Sequence, residues 1–526
     1  MIGILFGIIF LSFYLYGVNI IIDPSKENAK ISKYIYGTNQ PLEGGENFTA
    51  WRLGGNRMTG YNWENNASNA GNDWQHSSDN YMTNSFAIPE SQSNDPAKTI
   101  IFFHEKSLSM NAYSLITLQM AGYVAKDKNG TVTEQETAPS ARWAQVVFTK
   151  GKPFSIAPDT DNNFVYMDEE VNFLVNKFGN ASTQTGIKGY ALDNEPDIWF
   201  STHPRIHPKR QTCEEIIAKS AALAKAVKKV DPYVEIFGPA SYGFNGFKTF
   251  QDAPDWYSKY QYKYDWFLSY YLDMMKKESK KAGKRLLDVL DIHWYPEAQG
   301  EGKRIVTNGV FPGINAAARV QAPRSLWDPT YSETSWICQS GNCPIQLIPH
   351  IQKSIKKYYP GTKLGITEYD YGGGDHISGG IAMADVLGIF GKYGVYFATY
   401  WNSEGGSYTS AAFKLYRNFD GANGTFGDTK IKAESDDVVS MPVYASVNQG
   451  EDATIHIIVI NRDMANTQTA HFTIKSKNIY KSGIVWGFDS KSPKIKFRDS
   501  LTQIDKNSFQ LEMPPLSACH VVLSCQ

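Results

Sequence analysis

Two glutamates each close a short apolar run that has the length of a buried strand. Glu195 ends Gly-Tyr-Ala-Leu-Asp-Asn-Glu-Pro (189–196), and Glu368 lies in Lys-Leu-Gly-Ile-Thr-Glu-Tyr (363–369). A lone glutamate is usually a solvated surface charge, but a glutamate that ends an apolar strand is unusual. Two carboxyls of this kind can break a glycosidic bond, one as a general acid and the other as a nucleophile or base. The pair therefore indicates glycoside hydrolysis.

The neighbours of the two glutamates suit the same chemistry. One carboxyl must have a raised pKa while the other stays ionised, and their surroundings can impose this division. Asn194 is placed to hydrogen-bond a sugar 2-hydroxyl, Pro196 fixes the backbone after Glu195, and Tyr369 could orient Glu368. A separation of about 5–5.5 Å between the carboxyls would give retained stereochemistry, and a wider gap would admit an inverting water.

The elements that position these residues are short strands that alternate with helical segments. Eight strands are predicted: Trp51–Leu53, Leu115–Met120, Trp143–Phe148, Gly189–Leu192, Val234–Phe237, Val289–His293, Leu364–Thr367 and Tyr396–Tyr400. Helical periodicity marks Cys213–Val230, Trp266–Gly283, Pro349–Tyr358 and Gly379–Tyr393. This alternation predicts an α/β fold, a TIM-like (β/α)8 barrel with both glutamates at its mouth. An open doubly wound sheet is the alternative, but no glycine-rich phosphate fingerprint follows the first strand.

After about Gly427 the pattern changes to short strands separated by turn residues. The predicted strands are Val438–Ser446, Ala453–Asn461, Thr467–Ile474, Ile484–Phe488, Ser508–Met513 and Ala518–Leu523. No convincing helix intervenes, so the pattern predicts an antiparallel β-sandwich, which the early strand Val18–Asp23 joins. The expected domains are a catalytic barrel at 33–427 and a sandwich made of 18–32 plus 428–526.

Further residues are weaker candidates for substrate binding. His293, Trp294 and Tyr295 end the sixth predicted strand, and Trp401 ends the eighth, where it could form a platform for a sugar ring. Core packing is the alternative for each of them. Four tryptophans in polar loops could line an extended cleft: Trp63, Trp74, Trp327 and Trp336. Glu404 is a further carboxylate near the expected mouth.

One acidic stretch partly resembles a calcium loop. Asp159-Thr160-Asp161-Asn162-Asn163 is followed by Phe164 where an EF-hand requires glycine, so an EF-hand is excluded. A structural Ca²⁺ held by Asp159, Asp161 and Glu64 is one interpretation, and a solvated acidic turn is the other. The chemistry itself requires no cofactor.

Composition limits the class of partner. The chain has 52 Lys plus Arg and 53 Asp plus Glu, and this balance excludes the basic surface expected for nucleic acid or an anionic membrane. Aromatic residues make up 13% of the chain, and exposed tyrosine and tryptophan suit the flat faces of sugars.

Cys338 and Cys343 could close a small loop; Cys519 and Cys525 could pair similarly, which would leave Cys213 free.

The first 22 residues are apolar and carry no charged side chain. They indicate a signal peptide over residues 1–17, and an uncleaved N-terminal anchor is the alternative. We therefore expect a secreted, extracellular protein that is not attached to a membrane after cleavage and is a monomer.

The chain resembles glycoside hydrolase family 44, the endoglucanases and xyloglucanases. The resemblance lies in Tyr36-Gly37-Thr38-Asn39-Gln40, Arg52-Leu53-Gly54-Gly55-Asn56-Arg57, Tyr61-Asn62-Trp63-Glu64-Asn65-Asn66, Ala191–Trp199, Asp291-Ile292-His293-Trp294-Tyr295-Pro296 and Gly365–Gly374. It implies a barrel followed by a β-sandwich and a retaining mechanism, with Glu195 as acid/base and Glu368 as nucleophile. The implied substrate is a β-1,4-glucan or xyloglucan polysaccharide, and the resemblance also favours a structural calcium.

Three alternatives remain at this point. A xylanase or mannanase would keep the same two glutamates. A non-catalytic carbohydrate-binding protein would be favoured if either glutamate were replaced, and both are present. Transglycosylation is also open, because a sugar can intercept a glycosyl-enzyme in place of water.

Overall fold

The computed structural model describes residues 17–306, 313–402 and 405–525. The predicted signal segment, apart from Gly17, and Glu404 lie outside the described residues. The chain divides into two compact units, Ser32–Phe413 and a second one that joins residues up to Ile31 with those from Lys414 onward.

The first unit is a closed barrel of eight parallel strands. In chain order these are β1 (Gly37–Thr38), β2 (Ala50–Leu53), β3 (Tyr113–Leu118), β4 (Gly189–Leu192), β5 (Glu235–Ser241), β6 (Val289–Trp294), β7 (Lys363–Tyr369) and β8 (Phe397–Tyr400). The predicted TIM-like barrel is therefore confirmed; Glu195 lies just after its fourth strand and Glu368 lies on its seventh.

One of the eight predicted strands lies outside the barrel. Trp143–Val147 pairs with Tyr123–Ala125 and Phe164–Tyr166 in a separate three-stranded sheet. The barrel strand that is missing from the predicted eight is β1. It has only two residues, which are too few to show a hydrophobic periodicity.

Helices surround these strands. The longer ones are Lys98–Ser109, Met167–Phe178, Cys213–Val230, Phe267–Ala282, Leu347–Tyr358, Ile377–Tyr393 and Ser407–Arg417. All four predicted helices are confirmed. In Cys213–Val230 the Thr212 side chain caps the N-terminus by accepting from the Glu215 amide, with buried residues recurring at helical spacing. Shorter helices cover Asn56–Thr59, Tyr81–Ser85, Trp199–Thr202, Phe244–Thr249, Ala316–Gln321 and Trp336–Gln339.

The barrel interior changes character from floor to mouth. The floor is a cluster of apolar and aromatic side chains in which Phe397 contacts Tyr113 and Phe237, each at 5.1 Å between ring centroids. Nearer the carboxyl ends of the strands the buried side chains are polar or charged, among them Arg52, His293 and Glu368. The apolar floor closes one end of the barrel, and the polar groups converge at the other end, where loops meet.

The second unit is a β-sandwich with one continuous apolar core. Its strands are Gly17–Asp23, Thr429–Ser435, Val443–Asn448, Glu451–Asn461, Gln468–Ile474, Ser482–Asp489, Ser492–Leu501, Ser508–Met513 and Ser517–Ser524, with the short Ala29–Lys30 beside them. Neighbouring strands are antiparallel except Gly17–Asp23 and Gln468–Ile474, which are parallel. The early strand joins the sandwich as predicted. Three of these strands were not predicted: the short Ala29–Lys30, Thr429–Ser435 and the charged edge strand Ser492–Leu501, whose burial does not alternate cleanly.

The cysteines follow the prediction in part. Cys338 and Cys343 form a disulfide. Cys519 and Cys525 are not paired, which corrects the second expected bridge. Cys519 lies in the extended strand Ser517–Ser524 and Cys525 directly follows it, and six extended residues span roughly 20 Å, much more than the distance a disulfide can bridge.

None of the helices in the described part of the chain combines the length and the apolar character that a membrane span requires.

Candidate active site

Glu195 follows β4 in an unusual backbone conformation. Glu195 and Asp193 both have positive φ, 43° and 65°. Asp193 stabilises this turn because its buried carboxylate accepts from Thr59 Oγ1 at 2.6 Å and from the Ala121 amide at 2.9 Å. The Glu195 amide donates to the Ala240 carbonyl at 3.1 Å. Strained residues that are held so firmly occur preferentially at functional sites.

Glu368, on β7, is held from both sides by hydrogen-bond donors. Arg52 Nη1 donates to Glu368 Oε1 at 2.7 Å, and the Tyr295 hydroxyl donates to Oε2 at 2.8 Å. Arg52 Nη2 also donates to Asn194 Oδ1 at 2.7 Å, so one guanidinium orients both the carboxylate and the residue before Glu195. These charge-assisted bonds fix the orientation of the Glu368 carboxylate.

His293 lies between the two glutamates. Its Nδ1 is 2.8 Å from Glu195 Oε1 and 3.5 Å from Glu368 Oε2. Burial lowers the pKa of His293 to about 3, so the imidazole is neutral at the pH where most enzymes work. A neutral imidazole exchanges a hydrogen bond with Glu195 without adding a positive charge.

Glu195 is the carboxyl that keeps its proton. Burial raises the pKa of Glu195 to about 7; the Arg52 charge opposes this and the Asp73 charge reinforces it. A raised pKa of this kind is what a general acid requires near neutral pH.

The separation of the carboxyls is short. One oxygen of Glu195, one of Glu368 and a ring nitrogen of His293 all lie within 4.8 Å of one another. This spacing matches the retaining geometry of about 5–5.5 Å and leaves no room for the water of an inverting enzyme. The same three groups are the candidate metal ligands among the described residues, but the Arg52 guanidinium already occupies the cationic position beside Glu368.

Both glutamates open into a cleft of about 800 Å³. Trp401, after β8, and Tyr295, after β6, form part of its wall beside the carboxyls. Further along, the segment after β2 contributes the exposed side chains of Trp74 and Tyr81. An aromatic-lined cleft that contains two paired carboxyls suits a carbohydrate that extends beyond one ring.

Comparison with known proteins agrees with this chemistry. The sequence profile of Glycoside hydrolase family 44 matches residues 67–298. Endoglucanase A of Paenibacillus lautus is 55% identical over 507 residues, which cover 96% of this chain and 72% of that protein. The chain belongs to glycoside hydrolase family 44.

Two further relatives extend the comparison. A xyloglucanase of this family from Paenibacillus polymyxa, whose structure contains xyloglucan, superposes with a TM-score of 0.94 at 53% identity and covers 96% of this chain and 99% of its own. Beta-mannanase/endoglucanase A of Caldicellulosiruptor saccharolyticus is 53% identical over 94% of this chain, which spans 38% of that longer protein. As a family 44 member the protein is a glycoside hydrolase, and its substrate is a polysaccharide.

The family 44 site contains several of the predicted residues. Glu195, Glu368, Asn194, Tyr295 and Trp401 all line the cleft. His293 is buried directly behind the two carboxyls, and of the four loop tryptophans only Trp74 lines this cleft.

Trp294 and Tyr369, which were expected to bind substrate, are buried and do not line the cleft. Successive residues of a strand point to opposite faces, so the neighbours of His293 and Glu368 point away from the site. Trp294 is buried against Phe247, and Tyr369 packs edge-on against Phe390 in the helix outside β7. Arg52 and Tyr295 orient the Glu368 carboxylate in place of Tyr369.

The loop tryptophans also require correction. Trp63 is fully buried against Phe173, because its asparagine-rich loop folds inward rather than into solvent. Trp327 stacks on Tyr393 at 5.8 Å, and Trp336 contacts Phe244; neither lines the cleft that contains the glutamates.

Arg52 and Asp73 are site residues that the sequence reasoning did not assign. The signal for Arg52 was present, because an arginine inside the buried strand Ala50–Leu53 requires an anionic partner. Asp73 is exposed in the cleft and accepts from Asn56 Nδ2 at 3.0 and 3.1 Å, and nothing in its sequence context distinguishes it from a solvated acid.

The predicted calcium ligands are not gathered into a coordination site among the described residues. Asp159 and Asp161 are exposed. Among the described residues, the carboxylate oxygens of Asp159, Asp161 and Glu64 do not come as close together as the possible ligand atoms of Glu195, His293 and Glu368. Glu64 is buried, and burial together with the negative charges of Glu169 and Asp159 raises its pKa to about 8. Neighbouring Glu170 is fully buried and neither of its oxygens has a hydrogen-bond partner. Such carboxylates have the donor chemistry that Ca²⁺ prefers.

Proposed function

We propose that this enzyme is a retaining endo-β-1,4-glucanase that cleaves internal bonds of cellulose-like glucans and xyloglucan, with Glu195 as acid/base and Glu368 as nucleophile. The observation that carries the proposal is the asymmetry of the pair. Glu368 accepts from Arg52 and Tyr295, whereas burial keeps Glu195 protonated up to about pH 7.

In the first step the Glu195 proton moves to the glycosidic oxygen while Glu368 Oε2 or Oε1 attacks the anomeric carbon. The bond from that carbon to the leaving oxygen breaks, and an ester bond to Glu368 forms. As negative charge leaves Glu368, its bonds from Arg52 and Tyr295 weaken. The role of Arg52 and Tyr295 in this step is to orient the Glu368 carboxylate for attack.

In the second step Glu195, now ionised, takes a proton from a water molecule that attacks the same carbon. The ester bond breaks, Glu368 regains its charge, and Arg52 and Tyr295 stabilise it as the leaving group. Two inversions at one carbon give net retention. The neutral His293 accommodates both protonation states of Glu195 through its bond at 2.8 Å.

The choice of glucan rests on the cleft and on the relatives. An elongated cleft that runs past the glutamates to Trp74 and Tyr81 suits attack within a chain rather than at its end. The relatives named above include an endoglucanase and a xyloglucanase, and one relative carries both mannanase and endoglucanase activities in its name. Mannan and xylan are therefore the comparison substrates in any assay.

Azide rescue tests the two roles. Glu368→Ala and Glu195→Ala are assayed on a dinitrophenyl β-cello-oligosaccharide with and without sodium azide, and the products are identified by NMR. Azide replacing the lost nucleophile gives an α-glycosyl azide from Glu368→Ala. Azide intercepting the intact glycosyl-enzyme gives a β-glycosyl azide from Glu195→Ala.

The matched control is Glu105→Ala, which removes an exposed helical carboxylate that does not line the cleft. It should keep wild-type rates on xyloglucan and carboxymethyl cellulose. Exchanged azide anomers would reverse the two roles, and near-normal activity of both active-site variants would refute the assignment.

We propose that Glu64 binds a structural Ca²⁺, with Asp159 and Asp161 as further ligands. Burial, together with the repulsion between neighbouring carboxylates, raises the pKa of Glu64 and of Glu170, and a bound cation would favour their ionised forms. Added Ca²⁺ should raise Tm of the wild type after treatment with chelator and leave Glu64→Gln unchanged. An equal response of the two proteins would contradict this site.

We also propose that the protein is secreted as a monomer after loss of residues 1–17. Mass spectrometry of protein from the culture medium would give the mature N-terminus, and an intact Met1 on membrane-bound protein would favour the anchor instead. Light scattering gives the oligomeric state.

A further inference from the structure

Tyr81 presents an exposed ring to the catalytic cleft, far along the chain from either glutamate. It begins the short helix Tyr81–Ser85 in the long segment between β2 and the helix Lys98–Ser109. The side chain is 52% exposed, yet it lines the same cleft as Glu195 and Glu368. An aromatic ring that is half exposed in the catalytic cleft is not explained by core packing.

A charged pair fixes this ring from behind. The Arg57 guanidinium lies 4.4 Å from the Tyr81 ring centroid, within the range of a cation–π contact. Arg57 is itself fixed by Asp79, with bonds of 2.6 Å from Nη1 and 3.3 Å from Nη2. Asp79 also accepts from the Tyr81 amide at 2.9 Å. The ring, the guanidinium and the carboxylate therefore form one closed unit.

Paired β-strands support Tyr81, Arg57 and Asp79. Asp79 ends the strand Ser77–Asp79, which pairs with Ser68–Asn69 and Gly130–Thr131. Arg57 also donates to Ser68 Oγ at 3.3 Å. An aromatic ring that is already held in one orientation loses little conformational entropy when a ligand stacks on it.

We propose that Tyr81, backed by Arg57 and Asp79, is a sugar-stacking platform for a glucosyl unit of the polysaccharide remote from the bond that is cleaved. The proposal rests on the proposed function and adds a specificity-determining residue to the same cleft. A pyranose ring presents an apolar face of C–H groups to the exposed face of the ring, and its hydroxyls remain in water. Because the platform does not touch the reacting atoms, it contributes equally to ground state and transition state. Its loss therefore raises KM and leaves kcat unchanged.

The test compares wild type, Tyr81→Ala and Tyr81→Phe on two substrates. Xyloglucan polymer reaches the platform, whereas a dinitrophenyl β-cellobioside occupies only the sites next to the glutamates. Tyr81→Ala should raise KM for the polymer about ten-fold at unchanged kcat, the loss expected for one stacked ring. On the cellobioside its kinetics should stay within a factor of two, and Tyr81→Phe should behave as wild type on both.

The control is Tyr262→Ala, which removes a 93%-exposed tyrosine that does not line the cleft. It should not change KM for either substrate. A loss by Tyr81→Ala that is equal on polymer and cellobioside, or no loss at all, would overturn the platform. Circular dichroism and Tm confirm that each variant is folded.

A binding experiment separates this proposal from the proposed function. Calorimetry measures binding of a xyloglucan oligosaccharide to Glu368→Gln, with and without Tyr81→Ala. A ten-fold weaker Kd in the double variant supports the platform even if the wild type turned over neither glucan. An unchanged Kd refutes the platform even in a fully active glucanase.

Discussion

The pH dependence of kcat/KM follows from the environment of Glu195. Its ordinary pKa is 4.5, and burial raises it to about 7. At 1.36 kcal/mol for each pH unit, this difference means that the site disfavours the charged carboxylate by about 3 kcal/mol. The first chemical step requires the protonated form, so activity is present below pH 7 and lost as pH rises through it.

The protonated fraction of Glu195 at each pH follows from this pKa. Half of Glu195 carries its proton at pH 7, about one tenth at pH 8 and about one hundredth at pH 9. The basic limb of log kcat/KM on xyloglucan oligosaccharide should therefore fall with a slope of −1 above pH 7. Reducing-sugar release at substrate concentrations well below KM measures this quantity directly.

A second substrate tests whether the basic limb of the kcat/KM profile arises from the titration of Glu195 as the general acid. Dinitrophenolate leaves without a proton, so wild type on a dinitrophenyl β-cellobioside should show no such limb. Glu195→Gln should lose about 10²–10⁴-fold on xyloglucan, the usual contribution of a general acid, and far less on the dinitrophenyl glycoside in the first step. A limb that begins near pH 4.5, or that persists on the activated substrate, would refute the reasoning.

Three further predictions concern the neighbours of the pair. Arg52→Met removes two charge-assisted bonds of 2.7 Å, and kcat/KM should fall at least about 100-fold; a variant within five-fold of wild type would contradict the role. Tyr295→Phe removes one neutral donor to Glu368 and should lower kcat about ten-fold, with unchanged kcat as the contrary result. Asp73→Asn removes a negative charge that raises the pKa of Glu195, so the basic limb in a pH–rate profile should move to lower pH. Because burial is the larger cause, the displacement should be less than about one unit; no displacement would exclude this coupling.

The barrel and the catalytic pair could be predicted because both leave local signals. A buried parallel strand is an apolar run of four to seven residues, and a carboxylate at its carboxyl end must lie at the mouth. β1 leaves no such signal, since two residues cannot show a period. Trp143–Val147 was assigned to the barrel instead because its composition fits any strand, and only tertiary pairing decides which sheet it joins.

The subsite residues were harder to predict for two physical reasons. Strand alternation turns Trp294 and Tyr369 away from the cleft, and their adjacency in sequence to His293 and Glu368 conceals this. The Trp63 loop looked solvent-exposed because it is rich in asparagine. In the structure Asn62 and Asn66 are buried, and their side-chain amides donate to backbone carbonyls, so the polar residues build the interior of the loop.

The pairing of Gly17–Asp23 with Gln468–Ile474 has a consequence for biosynthesis. A ribosome makes this strand first, but its parallel partner follows roughly 450 residues later. At about 5–20 residues per second, the apolar side chains of Val18, Ile20 and Ile22 wait on the order of 20–90 s for the strands that bury them. The sandwich therefore cannot form until the Gln468–Ile474 segment has been made, and until then the apolar side chains of Gly17–Asp23 have no sandwich strands to bury them.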